Sequence, residues 1–284
     1  MAKKPKEPRR ERLSDLLRVP STGAHLHHAP TRATPGFDGN KRDAAAELPA
    51  MAARLSDLQE QLFAERSRRL LLVLQGMDTA GKGGTVRHVV GEMDPGGLHV
   101  AHFGLPTAEE RRHDFLWRIR RELPGPGYLG VFDRSHYEDV VTVRVDRTVE
   151  KRTWTRRFDA INRFEAQLVE SGTRIVKVYL HISPQESRER LLARLDDPTK
   201  EWKFNPQDLH TRERWEEYLT AYEDALTRCT TDLAPWFVVP ADRKWYRNWA
   251  VTRLLIEQLE EMGLRWPEPD FDVEEQRTRL QSMP

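Results

Sequence analysis

A lysine follows a glycine-rich turn at the end of an apolar run: Gly76-Met77-Asp78-Thr79-Ala80-Gly81-Lys82-Gly83-Gly84-Thr85. The spacing G-x-x-x-x-G-K is that of a phosphate-binding loop set between a strand and a helix. Glycines let backbone N–H groups converge on phosphate oxygens, the helix N-terminus adds partial positive charge, and Lys82 adds a full one. Gly81, Gly83, Gly84, Thr85 and Arg87 are the candidate phosphate contacts around it. An ordinary strand-to-helix turn can carry such glycines, but it has no need of a lysine at this place. Most such loops carry Ser or Thr after the lysine to hold magnesium, whereas this chain has Gly83 there and an acid, Asp78, inside the loop. A carboxylate aimed at phosphates repels them unless a cation sits between, so Asp78 is a metal-ligand candidate.

A second acidic site reads Val131-Phe132-Asp133-Arg134-Ser135-His136-Tyr137-Glu138-Asp139. An Asp at the carboxyl end of a buried strand lies where open α/β sheets bind ligands, and in phosphate-loop proteins that carboxylate commonly holds magnesium. Asp133 thus completes the metal site that Asp78 begins, and Arg134 supplies a phosphate partner. A helix-capping Asp would look similar, and Glu138 and Asp139 read equally well as site or as surface. Farther on, Ser183-Pro184 opens a helix in which Arg190 and Arg194 share a face. A basic helix after the fourth strand stands where nucleotide kinases carry a mobile arginine lid. Glu186 and Glu189 offer the alternative of ion pairs on a solvated face. Phe103, Pro106 and Thr107, near the end of the second strand, are candidates for holding a nucleoside, though core and turn residues would read the same.

These groups need a sheet edge to meet at. Leu70 to Leu74 is a short continuous apolar run, the mark of a strand covered on both faces. Further runs at Leu98 to Phe103, Tyr128 to Phe132, Ile175 to Ile182 and Trp236 to Val239 leave room for helices between them. Helical patterning at Arg42 to Arg69, Ala108 to Leu123, Thr153 to Glu170, Gln185 to Leu195, Leu209 to Cys229 and Lys244 to Met262 fills those intervals. The alternation predicts a doubly wound α/β fold with a parallel sheet between helical layers. Residues 1–41, rich in Lys, Arg, Pro, His and Gly, read as an extended solvated arm. Residues 42–263 read as one domain and 264–284 as a tail.

Composition narrows the classes. With 284 residues, 38% hydrophobic and 32% charged, the chain suits one large soluble domain. No apolar run is long enough for a membrane helix and the first thirty residues hold no secretory core, so a cytoplasmic location and no membrane partner are expected. Lys and Arg total 46 against 45 Asp and Glu, a net charge of +1 that gives no reason to expect nucleic acid. The single cysteine, Cys229, excludes internal disulfides and all-cysteine zinc sites.

The loop from Gly76 to Thr85, with Asp133 to Val140, resembles the polyphosphate kinase type-2 family. So do His113-Asp114-Phe115-Leu116-Trp117-Arg118, Asp196-Asp197-Pro198 through Trp202-Lys203-Phe204, and Ala234-Pro235-Trp236 through Lys244. The resemblance spans about Gly36 to Met262. It implies a three-layer α/β/α P-loop kinase fold with a five-stranded parallel sheet and a helical lid at about 183–208. It implies reversible transfer of the terminal phosphoryl group of inorganic polyphosphate to nucleoside mono- or diphosphates, AMP and ADP or GMP and GDP. The cofactor would be magnesium, with manganese as a substitute, and the assembly a homodimer or homotetramer. Asp78 and Asp133 are similar to the family's metal-organising carboxylates, Lys82 to its loop lysine, and Arg134 to its arginine after the second acid. Arg190, Arg194 and Lys203 fall in its lid, where basic groups contact phosphates. Tyr137-Glu138-Asp139-Val140 and Asp242 to Tyr246 look like the subgroup accepting both mono- and diphosphates, and Glu138 joins Phe103, Pro106 and Thr107 as a nucleotide-contact candidate. Gly83 and Asp133 look more like the diphosphate subgroup. An ATP-dependent small-molecule kinase and a non-catalytic nucleotide-binding protein are the rival readings of the same residues.

Overall fold

The computed structural model describes residues 12–284. Lys3, Lys4, Lys6, Arg9 and Arg10, the basic start of the chain, lie outside the described residues.

A five-residue helix α1 (Leu13–Leu17) precedes the long α2 (Lys41–Glu65), which Asn40 opens with a capping box shared with Asp43. Strand β1 (Arg69–Gly76) leads through the glycine loop into α3 (Lys82–His88). Then come β2 (Leu98–His102), α4 (Trp117–Arg121), β3 (Leu129–Asp133), α5 (Thr142–Val145) and α6 (Lys151–Glu170). Strand β4 (Thr173–His181), α7 (Pro184–Leu195), α8 (Gln207–Glu213), α9 (Trp215–Arg228), β5 (Trp236–Pro240), α10 (Lys244–Glu261) and α11 (Val273–Gln281) complete the chain.

The five strands form one parallel sheet in the order β2-β3-β1-β4-β5. Leu70 to Gly76 of β1 are all buried. Successive side chains of a strand point to opposite faces, so this strand is covered on both sides, as its uninterrupted apolar run requires. Because the strands run the same way, the loop after β1 and the turn after β3 emerge at one sheet edge. The register sets Leu74 opposite Asp133, which brings the start of the second motif level with the first.

Two helical expectations divide. Ala108 to Leu123 becomes a single 3-10 turn, Glu110–Arg112, followed by the short α4, because Asp114 turns the chain by accepting from the Leu116 N–H. Leu209 to Cys229 becomes α8 and α9, broken at Arg214, whose guanidinium is drawn to the Val145 carbonyl and Glu217.

The stretch before α2 is not the solvated arm its composition suggests. Leu13, Leu17, Val19, Ala24, Leu26 and Phe37 are buried. Glu257 of α10 accepts from the Leu13 and Ser14 N–H groups, Tyr246 donates to the Pro35 carbonyl, and Phe37 packs on Trp249 at 4.7 Å between ring centroids. The Val19 N–H reaches the Trp236 carbonyl at 2.8 Å, so the arm covers the outer edge of β5, where bare backbone groups would otherwise face solvent. Cys229, at the end of α9, is buried, and burial pushes its thiol up to about 12. Helix α11 has no buried residue. No helix among the described residues is long and apolar enough to cross a membrane.

Candidate active site

The site is assembled where β1 and β3 end. Gly81 sits at φ +107°, a backbone state that glycine adopts without strain, and caps α3 so that Lys82 is its first residue. A Cβ at Gly81 would lie 1.7 Å from Arg247 Nη1, so the loop's close approach to α10 also demands glycine. The Lys82 ammonium is buried and folds back under the loop, donating to the Gly76 carbonyl at 2.8 Å and the Met77 carbonyl at 3.3 Å. Burial and the neighbouring Arg134 lower its pKa, while Asp78, Asp133 and Glu138 pull it back up. One lysine therefore senses all three acids.

Asp133 ends β3. Its Oδ2 lies 3.2 Å from His102 Nδ1, and its Oδ1 is buried with no hydrogen-bond partner. Arg134 follows at φ +65° and donates from Nη2 to Asp78 Oδ1 at 3.0 Å. Burial opposes its charge, but Glu138 and Asp78 outweigh that and raise its pKa. Loop and turn are thus joined side chain to side chain.

Beside them opens a cleft of about 370 Å3 lined by Asp78, Phe103, Pro106, Arg134 and Glu138, all marked in the sequence. Gln75, whose amide oxygen accepts from Ser135 and whose nitrogen reaches Glu138 Oε1 at 3.0 Å, fixes the turn from β1. Phe103 is nevertheless almost fully buried against Phe132, so it offers only an edge to the cleft. Thr107 does not join this cleft: it caps the Glu110 turn and lines a separate hollow with Trp117 and Arg121.

The remaining candidates divide as well. Gly83 and Gly84 stand in the first turn of α3, and nothing lies within 4 Å of a Cβ built on Gly83. Thr85 is buried and turns its hydroxyl back to the Gly81 carbonyl. Arg87 is exposed five positions after Lys82, about 140° around the helix from it. Arg190 is committed elsewhere. Its Nε donates to Glu186, its Nη1 to the Thr79 and Ala80 carbonyls, and its Nη2 to the Ala241 and Asp242 carbonyls. A guanidinium has five N–H donors, so none is left for a phosphate. Arg190 clamps the loop's backbone. Arg194 holds the Lys203 carbonyl and Asp208, while Lys203 is exposed with its ammonium 5.1 Å from the Trp202 ring.

Several residues that complete the site carry no motif the spacing could reveal. Arg247 backs the loop, its guanidinium lowered to about 10 by burial and by Arg190. Tyr218 and Tyr222 line the cleft from α9, and Asp208 from α8. Arg118, which by contrast closes the His113 to Arg118 motif, also lines the cleft, donating to Asp139 Oδ2 at 3.2 Å and to the Gly104 carbonyl at 2.8 Å.

With this geometry established, a family model described as polyphosphate kinase 2 matches residues 38–266. The chain belongs to the polyphosphate kinase 2 family. It is 46% identical over 237 residues to the AMP/ADP-polyphosphate phosphotransferase of Meiothermus ruber, covering 84% of this chain and 89% of that one. It is 40% identical over 251 residues to the ADP-polyphosphate phosphotransferase of Rhodopseudomonas palustris, covering 84% and 86%. The crystal structure of polyphosphate kinase 2 from Arthrobacter aurescens TC1 is similar at a TM-score of 0.94 and 49% identity, covering 96% of this chain and 98% of that one. The parallel sheet and P-loop of this polyphosphate kinase 2 member are therefore those of a P-loop kinase fold.

Proposed function

We propose that this chain transfers the terminal phosphoryl group of inorganic polyphosphate to nucleoside mono- and diphosphates, AMP and ADP together with GMP and GDP, reversibly and with magnesium. The observation that carries the reading is the meeting of loop and turn at one cleft, where Arg134 reaches Asp78 beside the buried Lys82. The names of the relatives from Meiothermus ruber and Rhodopseudomonas palustris support the donor and the adenine acceptors.

The donor set fits a hard divalent cation. Asp78 and Asp133 offer carboxylate oxygens, and Asp133 Oδ1 is buried without a partner. Among the described residues no three His, Cys, Asp or Glu side chains gather at one point. A magnesium site that takes phosphates and waters as its other ligands needs only one or two carboxylates. Once bound, the ion would supply charge neutralisation between donor and acceptor phosphates.

Phosphoryl transfer asks the protein for position and positive charge more than for covalent chemistry. The first-turn N–H groups of α3 and the Lys82 ammonium bind the phosphate being moved. Arg134, held by Glu138 and Asp78, binds a neighbouring phosphate and keeps the two reactants in line. Tyr218 and Tyr222, buried or nearly so, wall the cleft against water. The enzyme works in the cytoplasm as a homodimer or homotetramer.

The test uses purified protein, magnesium and ADP, with polyphosphate as the only phosphoryl source, beside parallel reactions with AMP, GMP and GDP. ATP appears from ADP, and ADP from AMP. Absence of product with every acceptor would leave an ATP-dependent kinase as the better reading.

A further inference from the structure

Beneath the turn that carries Arg134 lies a charge pair that the transfer reaction does not touch. Lys177 of β4 has no exposed surface, and Glu165 of α6 retains 2%. The Lys177 ammonium donates to Glu165 Oε2 at 2.6 Å, to the Tyr137 hydroxyl at 3.0 Å and to the Cys229 carbonyl at 2.6 Å. All three of its donors are used. The other oxygen of Glu165 accepts from the Tyr137 hydroxyl at 2.7 Å and lies 3.2 Å from His136 Nε2. Burial works against the Glu165 charge, but Lys177 and His136 outweigh it and hold the carboxyl below the usual range.

Such a pair is an expensive way to fill a core, since an apolar pair of the same volume is commonly as stable or more so. Its place suggests what it does. His136 and Tyr137, the two residues it grips, stand between Arg134 and Glu138. Arg134 has a left-handed backbone at φ +65°, which a residue with a side chain keeps only where its surroundings over-determine it. From above, the turn is tied by the Arg134 N–H to the Leu74 carbonyl at 3.0 Å and by Gln75 to Ser135 and Glu138. Glu165 and Lys177 supply the hold on its middle.

We propose that Glu165 and Lys177 are positioning residues that act through His136 and Tyr137 to keep the turn in the conformation from which Arg134 reaches Asp78. The proposal rests on the role given to Arg134 under the proposed function.

The test compares four proteins with the wild type in the ADP and polyphosphate assay, each with its thermal unfolding curve. In the Glu165→Leu/Lys177→Met double variant the fold is kept, as for other apolar replacements of buried pairs. Its kcat falls about tenfold or more while KM for ADP stays within about twofold, the signature of lost alignment rather than lost binding. Tyr137→Phe, which removes one hydroxyl and keeps the ring, loses about fivefold in kcat with an intact fold. Added to Arg134→Ala, the double substitution costs no more than about twofold further, because both deficits pass through one side chain. A double variant with restored stability and full kcat overturns the proposal. Should that variant not fold, Tyr137→Phe decides alone: a folded protein with full kcat overturns the proposal, and one with reduced kcat upholds it. Full turnover in Arg134→Ala by itself would instead overturn the assignment of Arg134, which the pair variants alone cannot do.

Discussion

Arg134 Nη2 and Asp78 Oδ1 lie 3.0 Å apart, joining segments 56 positions distant in the chain across the mouth of the cleft. The arginine at the end of one strand is thereby set by the acid in the loop after its neighbour, and both face the lysine that opens α3. Charge of both signs at one sheet edge is the arrangement a polyanion with a divalent counter-ion needs.

If Asp78 and Asp133 hold that counter-ion, replacing either by Asn lowers ATP formation from ADP and polyphosphate by about a hundredfold or more, an effect of the size seen when one transition-state charge partner is removed. Chelation of the wild type with excess EDTA should abolish turnover and added magnesium should restore it. An Asp78→Asn protein with near wild-type kcat would sink the metal role.

Lys82→Met should also cost about a hundredfold or more in kcat, while unfolding shifts little beyond the loss of two carbonyl partners, about 1 to 3 kcal/mol. There is a pH consequence. Asp78, Asp133 and Glu138 pull the Lys82 pKa up against burial and Arg134. Removing the Asp78 charge lets that pKa fall, so the ammonium is lost at lower pH. The alkaline limb of the kcat/KM profile of Asp78→Asn should then move to lower pH than in the wild type, and a limb that stays put or moves up would contradict the coupling.

Gly81→Ala places a methyl where Arg247 Nη1 already stands and forces a side chain onto φ +107°. The backbone part alone is worth about 1 to 2 kcal/mol. Displacing a buried guanidinium adds to it, and calorimetry should show a melting temperature lower by about 5 °C or more. Gly83→Ala, with open space around its Cβ, should unfold within about 0.5 kcal/mol of the wild type.

Arg190→Ala leaves the Thr79, Ala80, Ala241 and Asp242 carbonyls without their shared donor and Glu186 without its partner. A loss of about 3 to 5 kcal/mol in unfolding free energy is expected, as for other broken buried charge networks. Lys203→Ala, on an exposed side chain, should leave stability unchanged and weaken polyphosphate binding in a manner that fades with added salt. Equal melting temperatures for Arg190→Ala and the wild type would show that the clamp is dispensable.

What could be read in advance follows from how local each signal is. The loop from Gly76 to Lys82 and the Asp133-Arg134 turn are contiguous residues whose types and spacing are their own evidence, and both came together where a parallel sheet must bring them. The five strands were legible because a strand buried on both faces writes itself as an unbroken apolar run. The packing of residues 13–37 was not, since Leu13, Leu26 and Phe37 follow no period and find their partners in α9, α10 and β5, some two hundred positions away. The hold of Arg190 on the loop was not legible for a related reason. Helical spacing tells which residues share a face, but only the assembled fold reveals that this face meets the carbonyls of Thr79 and Asp242.

The enclosed Cys229, its thiol pushed up to about 12, presents almost no thiolate at neutral pH and no path for a reagent to reach it. Maleimide dyes and spin labels should pass the native chain by. A lone cysteine introduced at exposed Trp202 would then carry the only probe on the molecule. Paired with the intrinsic fluorescence of the interior tryptophans, it offers a ruler for how far the segment around Trp202 travels when nucleotide and phosphate polymer arrive.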